Sequence, residues 1–393
     1  MDVDVFVVGG GPSGATAAWD LARAGRSVVM LDRAGRIKPC GGAIPPRAIS
    51  DFDIPDHLLV AKVETARMIS PTGRKVDIHI ENGFVGMVDR EDFDEFLRKR
   101  AVDEGAVRLT GTYLRIERER GARYVVWRDK ATGEERRTKT RVVIGADGAR
   151  SVVARDHVPG GDKIPYVIAY HEIVRAPAAN AAYDPKRCDV VYDGRISGDF
   201  YGWVFPHGDT ASIGMGSGLE GADLKQATAD LRAASGLSGC ETIRKEGAPI
   251  PLHPLDRWDN GRDVILAGDA AGVVAPSSGE GIYYAMFGGR VAAKAAREFL
   301  NSGLIRDLAL ARKLFMREHK TVFKVLRSMQ DAYYKSDERR ERFVSLCHDE
   351  DVQKLTFEAY MNKKLVSARP LAHIKIGIKN AAHLLRLVSP VYI

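Results

Sequence analysis

Six residues near the start of the chain, Gly9-Gly10-Gly11-Pro12-Ser13-Gly14, have the types and spacing of a turn that cradles a pyrophosphate. Gly9 permits the tight turn, Gly11 lets the backbone approach the phosphates, and Gly14 lets the following helix pack closely on the preceding strand. An apolar run at 4–8 precedes the turn, an alanine-rich helical stretch at 15–24 follows it, and a second apolar run at 27–31 ends on Asp32. That is a strand, turn, helix and strand in register. The free amides at the helix start form an anion site, and Asp32 can accept hydrogen bonds from an adenosine ribose. A glycine-rich turn alone can be only a turn. With strand, helix and acid in place it predicts a dinucleotide held by Gly9, Gly11, Ser13, Gly14, Asp32 and Arg33, with NAD and FAD both open at this point.

Two later strand endings narrow the choice. Residues 141–148 read Arg-Val-Val-Ile-Gly-Ala-Asp-Gly, and residues 263–272 read Asp-Val-Ile-Leu-Ala-Gly-Asp-Ala-Ala-Gly. One such ending is ordinary punctuation. Both together with the N-terminal turn resemble the three-part signature of the flavoprotein hydroxylase superfamily, which implies FAD, with Asp147 and Asp269 among its contacts and Asp269 on the ribityl chain. The segment Pro276-Ser277-Ser278-Gly279-Glu280-Gly281-Ile282 corresponds to the one that holds the isoalloxazine ring, so Gly281 and Ile282 are expected there. A helix starting at 283 would place its positive end under the flavin pyrimidine and stabilise a reduced, anionic flavin.

FAD does not name a reaction, and two other segments bear on that. Lys38-Pro39-Cys40-Gly41-Gly42 follows the second strand, and Tyr201-Gly202-Trp203-Val204-Phe205-Pro206 lies in a region of short alternating runs. Read by residue type alone, an aromatic stripe such as Tyr201, Trp203 and Phe205 is more often core than cavity wall, and a lone thiol such as Cys40 is usually inert. Arg90, in Val88-Asp89-Arg90-Glu91-Asp92-Phe93, could cap a helix or pair with a carboxylate. His207 reads as a solvated or hydrogen-bonded turn residue, and the ten histidines show no HExxH spacing that would suggest a metal.

Taken together these segments resemble the geranylgeranyl reductase family essentially end to end, most closely the branch acting on chlorophylls and bacteriochlorophylls. One departure is Gly198, where family members often carry proline three residues before the tyrosine. The resemblance implies that Cys40, Tyr201 and Trp203 take part in catalysis, that Cys40, Gly41 and Arg90 contact FAD, and that Tyr201, Trp203 and Phe205 wall the substrate cavity. It further implies NADPH as electron donor. The reaction would be saturation of the isolated double bonds of a geranylgeranyl chain esterified to a tetrapyrrole, giving the phytyl chain. Such alkenes have no carbonyl to accept charge, so hydride addition must be coupled to proton delivery or to a developing tertiary cation in a cavity that excludes water. Two enzymatic alternatives share the FAD motifs: an aromatic hydroxylase or halogenase, and a reductase of polyprenyl glycerol lipids or of free geranylgeranyl diphosphate. A non-catalytic flavin-binding or membrane-interaction protein is a third.

The elements that must position these residues follow from composition and pattern. The 393 residues are 45% hydrophobic and 28% charged, enough for a large buried core and too polar for a spanning segment of ~18 apolar residues. Four scattered cysteines fit a reducing cytosol rather than a disulfide framework, and no leader peptide is apparent. The expected fold is α/β. A discontinuous Rossmann-like FAD domain would use 1–60, 89–165 and 258–300, an antiparallel-sheet substrate domain 61–88 and 166–257, and a helical region 301–393. Most of the net charge of +7 sits in the last forty or so residues, where Lys375, Lys379 and Arg386 flank a stripe of Leu371, Ile374, Ile378, Ala381, Leu385 and Val388. That stripe predicts peripheral contact with an anionic, pigment-bearing membrane on its cytoplasmic face, and not nucleic-acid binding. Association with other proteins of pigment synthesis is compatible with such a location.

Overall fold

The structure, a computed structural model, describes residues 1–34, 37–80, 83–180, 182–361 and 363. The first part of the chain forms β1 (Asp2–Val8), α1 (Pro12–Arg23), β2 (Val28–Asp32), β3 (Ala43–Ile44), α2 (Pro46–Asp51), β4 (Ala61–Val63), β5 (Thr65–Ile69), β6 (Lys75–His79) and β7 (Val85–Met87). Then come α3 (Arg90–Asp103), β8 (Val107–Glu119), β9 (Ala122–Asp129), β10 (Glu135–Gly145) and α4 (Val152–His157). The second half adds β11 (Tyr166–Arg175), β12 (Arg187–Val191), β13 (Gly202–His207), β14 (Thr210–Ser217), α5 (Leu224–Ala234), β15 (Thr242–Pro251) and β16 (Val264–Leu266). It ends in the helices α6 (Ile282–Ser302), α7 (Leu310–Tyr333), α8 (Asp337–Leu346) and α9 (Glu350–Met361).

The apolar runs become strands of a parallel sheet because they are covered on both faces, which requires continuous rather than alternating hydrophobicity. Val5 pairs with Val28 on one side and Val142 on the other, and Val143 pairs with Val264, giving the parallel order β8-β2-β1-β10-β16. Strand β9 runs antiparallel to the distal parts of both β8 and β10. Helices α1 and α6 pack against each other with their backbones almost touching: a Cβ added at Gly289 would lie 2.1 Å from the Ser13 carbonyl oxygen. This contact ties the start of the nucleotide helix to the C-terminal third of the chain.

The second sheet has the order β15-β11-β14-β13-β12-β5-β6. Every pairing in it is antiparallel except β5 with β12. Segment 61–88, expected to join it whole, divides: β5 and β6 do join, whereas β4 and β7 form a separate small sheet with β3. Gly86 allows this, because Leu59, Ile44 and Ile49 crowd the place where its side chain would be. The small sheet brings the chain to Val88, whose amide donates to the Gly42 carbonyl at 2.9 Å. An aromatic cluster of Tyr192, Phe200, Tyr201, Tyr333, Tyr334 and Phe343 joins the second sheet to α7 and α8. No helix among the described residues is long and apolar enough to cross a membrane. The stripe expected at 371–388 lies outside the described residues.

Candidate functional site

The glycine turn separates into residues the fold needs and one it does not. Gly9 has φ +112°, and a Cβ there would sit 2.2 Å from the Ala146 oxygen, while one at Gly14 would sit 1.9 Å from the Gly9 oxygen. At Gly11 a Cβ would meet nothing within 4 Å among the described residues. The chain itself therefore imposes no demand for glycine at 11; a ligand lying against the turn would. Two residues on, the Ser13 hydroxyl is buried at the start of α1 with no partner among the described residues, an unsatisfied group of the kind that natural structures rarely leave without a ligand or water. Asp32, at the end of β2, accepts from Arg108 at 3.2 Å and lies 3.6 Å from Arg98, and Arg33 beside it is exposed. An open cradle, an orphaned hydroxyl and a helix N-terminus fit the pyrophosphate of a dinucleotide.

From the turn the site runs into a cavity of about 100 Å³ at the seam between the two large sheets. Its wall brings together Cys40, Gly41, Arg90, Trp203, Asp269, Gly281 and Ile282 from segments far apart in sequence. Asp269 follows β16 on a 3-10 turn and is paired with Lys38. Gly281 is the N-cap of α6. Just before it, the Glu280 carboxylate accepts the Tyr283 amide at 2.9 Å and pairs with Lys363 at 2.6 Å; both charged side chains are almost fully buried. The loop leading to α6 is held from the aromatic side, with the hydroxyls of Tyr201 and Tyr334 donating to the carbonyls of Ser278 and Ser277 at 2.5 and 2.8 Å.

Cys40-Gly41-Gly42 lies flat on β13, and the glycines explain how. A Cβ at Gly41 would press on the Phe205 ring at 3.0 Å, and Gly42, at φ +72°, leaves no room between the Val88 oxygen and the His207 ring. The Gly42 amide donates to the Cys40 Sγ at 3.4 Å. Arg90, the first residue of α3, makes two hydrogen bonds of 2.8 and 2.7 Å to Asp94, both groups buried. Burial opposes the Arg90 charge, but Asp94 and then Cys40 outweigh it and raise its pKa above the ordinary value. The carboxylate pairing and the position at the cavity, alternatives in the sequence, are thus both features of this one guanidinium.

Several expected residues stand elsewhere. The Asp147 carboxylate caps α4, accepting from the amides of Val152 and Val153 at 2.7 and 3.2 Å; only its backbone lies against Gly9. Burial raises its pKa, against the pull of these hydrogen bonds and that of Ser151. Tyr201 stacks on Phe200 at 4.4 Å and directs its hydroxyl to the loop, so it supports the site from behind. Phe205 packs beneath Gly41. His207 is buried rather than solvated, hydrogen-bonded to the Phe205 carbonyl at 3.2 Å, and burial lowers its pKa.

Sequence reasoning missed His171, Ala169 and Ala248, which also line the cavity. They sit on β11 and β15, and no motif marks them; only the register of the sheet does. Ala169 pairs with Ala248, so two small residues side by side on adjacent strands line the space that the cavity occupies.

Comparison with known proteins agrees with this geometry. The family described as "Lycopene cyclase protein" matches residues 4–368. A geranylgeranyl diphosphate reductase of Rhodobacter capsulatus is 72% identical over 99% of each chain, and a chloroplastic one of Oryza sativa is 40% identical over 98% of this chain and 87% of that protein. Among solved structures, a geranylgeranyl bacteriochlorophyll reductase-like protein from Thermoplasma acidophilum is 21% identical with a TM-score of 0.76, covering 98% of both chains. The flavin-dependent brominase Bmp2 has the same TM-score at 16% identity, covering 97% of this chain and all of that one. These two share the fold. On sequence and structure together, the chain belongs to the geranylgeranyl reductase family of flavoprotein-fold oxidoreductases, within the broader lycopene cyclase grouping.

Proposed function

We propose that the protein binds FAD, draws electrons from NADPH and saturates the isolated double bonds of a geranylgeranyl chain, carried as an ester on a chlorophyll-type tetrapyrrole. The observation that carries this reading is the Cys40-Gly41-Gly42 segment laid on Trp203 and Phe205 at one wall of a cavity whose other wall is Asp269 and the α6 N-terminus. The relatives' names support the geranylgeranyl group, and the chloroplastic one supports a photosynthetic setting. Those same names favour free geranylgeranyl diphosphate as a second substrate reading.

Gly9, Gly11, Ser13 and Gly14 would hold the pyrophosphate, with Asp32 and Arg33 at the ribose end and Asp269 with Lys38 along the ribityl chain. The amides of Gly281 and Ile282, at the positive end of α6, would stabilise negative charge on the pyrimidine. Bound FAD, once reduced, supplies a hydride. The chain's own part is to hold the alkene, exclude water and supply a proton. Ala169, Ala248, Ile250 and Val274 give apolar walls, Trp203 offers an aromatic surface to a developing cation, and the Cys40 Sγ holds an exchangeable proton at the wall. The insolubility of a geranylgeranyl substrate in water supports a peripheral location on a pigment-bearing membrane.

Cys40→Ala tests this assignment. The variant is expected to keep FAD while alkene saturation falls tenfold or more, about 1.4 kcal/mol per factor of ten. Product masses from a geranylgeranyl tetrapyrrole ester, the free diphosphate and a polyprenyl glycerol lipid, each incubated anaerobically with NADPH, identify the substrate. Unchanged turnover in Cys40→Ala would remove the thiol from the reaction.

A further inference from the structure

One polar chain at the cavity is used by nothing described so far. Trp203, Gly214, His171 and Glu246 stand in a single row across β13, β14, β11 and β15: Trp203 pairs with Gly214, Gly214 with His171, and His171 with Glu246. Gly214 gives the row its space, since a Cβ there would lie 2.4 Å from the His171 Cβ and 2.7 Å from the Trp203 ring. Ser212, two residues along β14 and therefore on the same face, joins the two rings. The Trp203 Nε1–H donates to the Ser212 Oγ at 3.1 Å, Ser212 lies 2.9 Å from the His171 Nδ1, and the His171 Nε2 lies 3.1 Å from the Glu246 Oε2.

The directions of these bonds follow from the groups themselves. Burial opposes ionisation of Glu246, but His171 and Arg244 hold its pKa below the ordinary value, so it is an acceptor only. The His171 Nε2 therefore donates to the carboxylate, and the indole N–H, a donor only, donates to the Ser212 hydroxyl; with a neutral imidazole, the Nδ1 accepts from that hydroxyl. In that tautomer every donor points the same way, from Trp203 to the carboxylate. Ser212 is fully buried and His171 nearly so, which screens the chain little and lets successive bonds polarise one another.

We infer that Glu246, His171 and Ser212 are positioning residues that fix the Trp203 indole in the cavity wall and, through the terminal carboxylate, draw on its N–H and enrich its π system. The inference rests on the proposed alkene reduction, in which hydride and proton add across one double bond and positive charge grows on the more substituted carbon. An indole made more electron-rich stabilises that charge in the transition state more than it stabilises the neutral substrate, which raises kcat and leaves KM alone. Ser212, wholly enclosed and already accepting from Trp203, is not a nucleophile.

The test uses full-length Glu246→Gln, Ser212→Ala and Ser212→Thr. In the flavin-free protein, the indole N–H resonance of Trp203, assigned with Trp203→Phe, should move to higher field in Glu246→Gln and Ser212→Ala and return in Ser212→Thr. In the FAD-loaded protein, the first two should lose about tenfold in kcat with KM within about twofold, the scale of one charge-assisted hydrogen bond. Ser212→Thr should recover most of that. A resonance indifferent to Glu246→Gln overturns the chain, and a shifted resonance with unchanged kcat overturns its role in turnover. A wild-type protein that saturates no geranylgeranyl substrate overturns the reaction itself, and the catalytic half of the inference with it.

Discussion

Gly11 and His319 show how differently single residues bear on this molecule. Because a Cβ at 11 would meet no atom of the described residues within 4 Å, Gly11→Val should fold with unchanged thermal stability yet lose FAD, whereas substitutions at Gly9 or Gly14 collide with backbone and should unfold the domain. Flavin absorbance and melting temperature, measured together, separate the two. A Gly11→Val protein that retains FAD would contradict the cradle. His319 is fully buried, with both ring nitrogens unpartnered among the described residues, between the rings of Tyr283, Tyr284, Phe287 and Phe315. Burial pushes its pKa from 6.5 down to about 3, with Arg47 and Lys363 acting in the same sense. The unfolded chain takes up this proton as pH falls below 6.5, and the folded chain refuses it until about 3, so stability is complete above 6.5 and lost on acidification. The slope is about 1.4 kcal/mol per pH unit within that window. His319→Phe removes the titration and two orphaned nitrogens, so melting temperature should fall less steeply from pH 7 to 4 than in wild type; parallel slopes would contradict the burial argument.

Helix α6 is the element on which the site turns. Its N-terminus faces the cavity, its middle packs on α1, and Glu280, just before its N-cap, is paired with Lys363 from beyond the last described helix. Breaking a buried pair on one side leaves an uncompensated charge, at a cost of about 3–5 kcal/mol, while removing both charges costs far less. Lys363→Met should therefore weaken FAD binding more than tenfold, and Glu280→Gln with Lys363→Met should restore most of the affinity, as read by flavin fluorescence titration. Equal affinity in wild type and Lys363→Met would detach this pair from the flavin site. The sequence made much of this element legible. The glycine-bearing segment at 276–282 and the helical stretch after it announced a helix start, as the turn at 9–14 announced α1. It could not show Lys363, because the partner of a buried charge far along the chain leaves no local pattern. His171 escaped for a related reason: its role depends on register across four strands, and a strand read alone gives alternation but not which neighbour it faces. Asp147 illustrates the opposite case, a motif residue whose backbone holds the expected place while its carboxylate serves the local helix.

At the scale of the whole molecule, two sheets meet so that the glycine turn of one and the small residues Ala169 and Ala248 of the other share a single cavity. The FAD-type sheet supplies Asp269 and α6; the second sheet supplies Trp203, His171 and the apolar floor; the short sheet anchors Gly42. None of these is sufficient alone, which is why the motifs are spread along nearly the whole chain. The central claim is that reduced flavin and a geranylgeranyl alkene react in this cavity. The most direct measurement is an anaerobic single turnover: FAD-loaded protein is reduced, the reductant is removed, and a geranylgeranyl tetrapyrrole ester is added while flavin absorbance and product mass are followed. The account predicts that flavin reoxidises without oxygen and that each equivalent of flavin oxidised adds one pair of hydrogens to the chain. Flavin that stays reduced until air is admitted, with the ester unchanged, would contradict it.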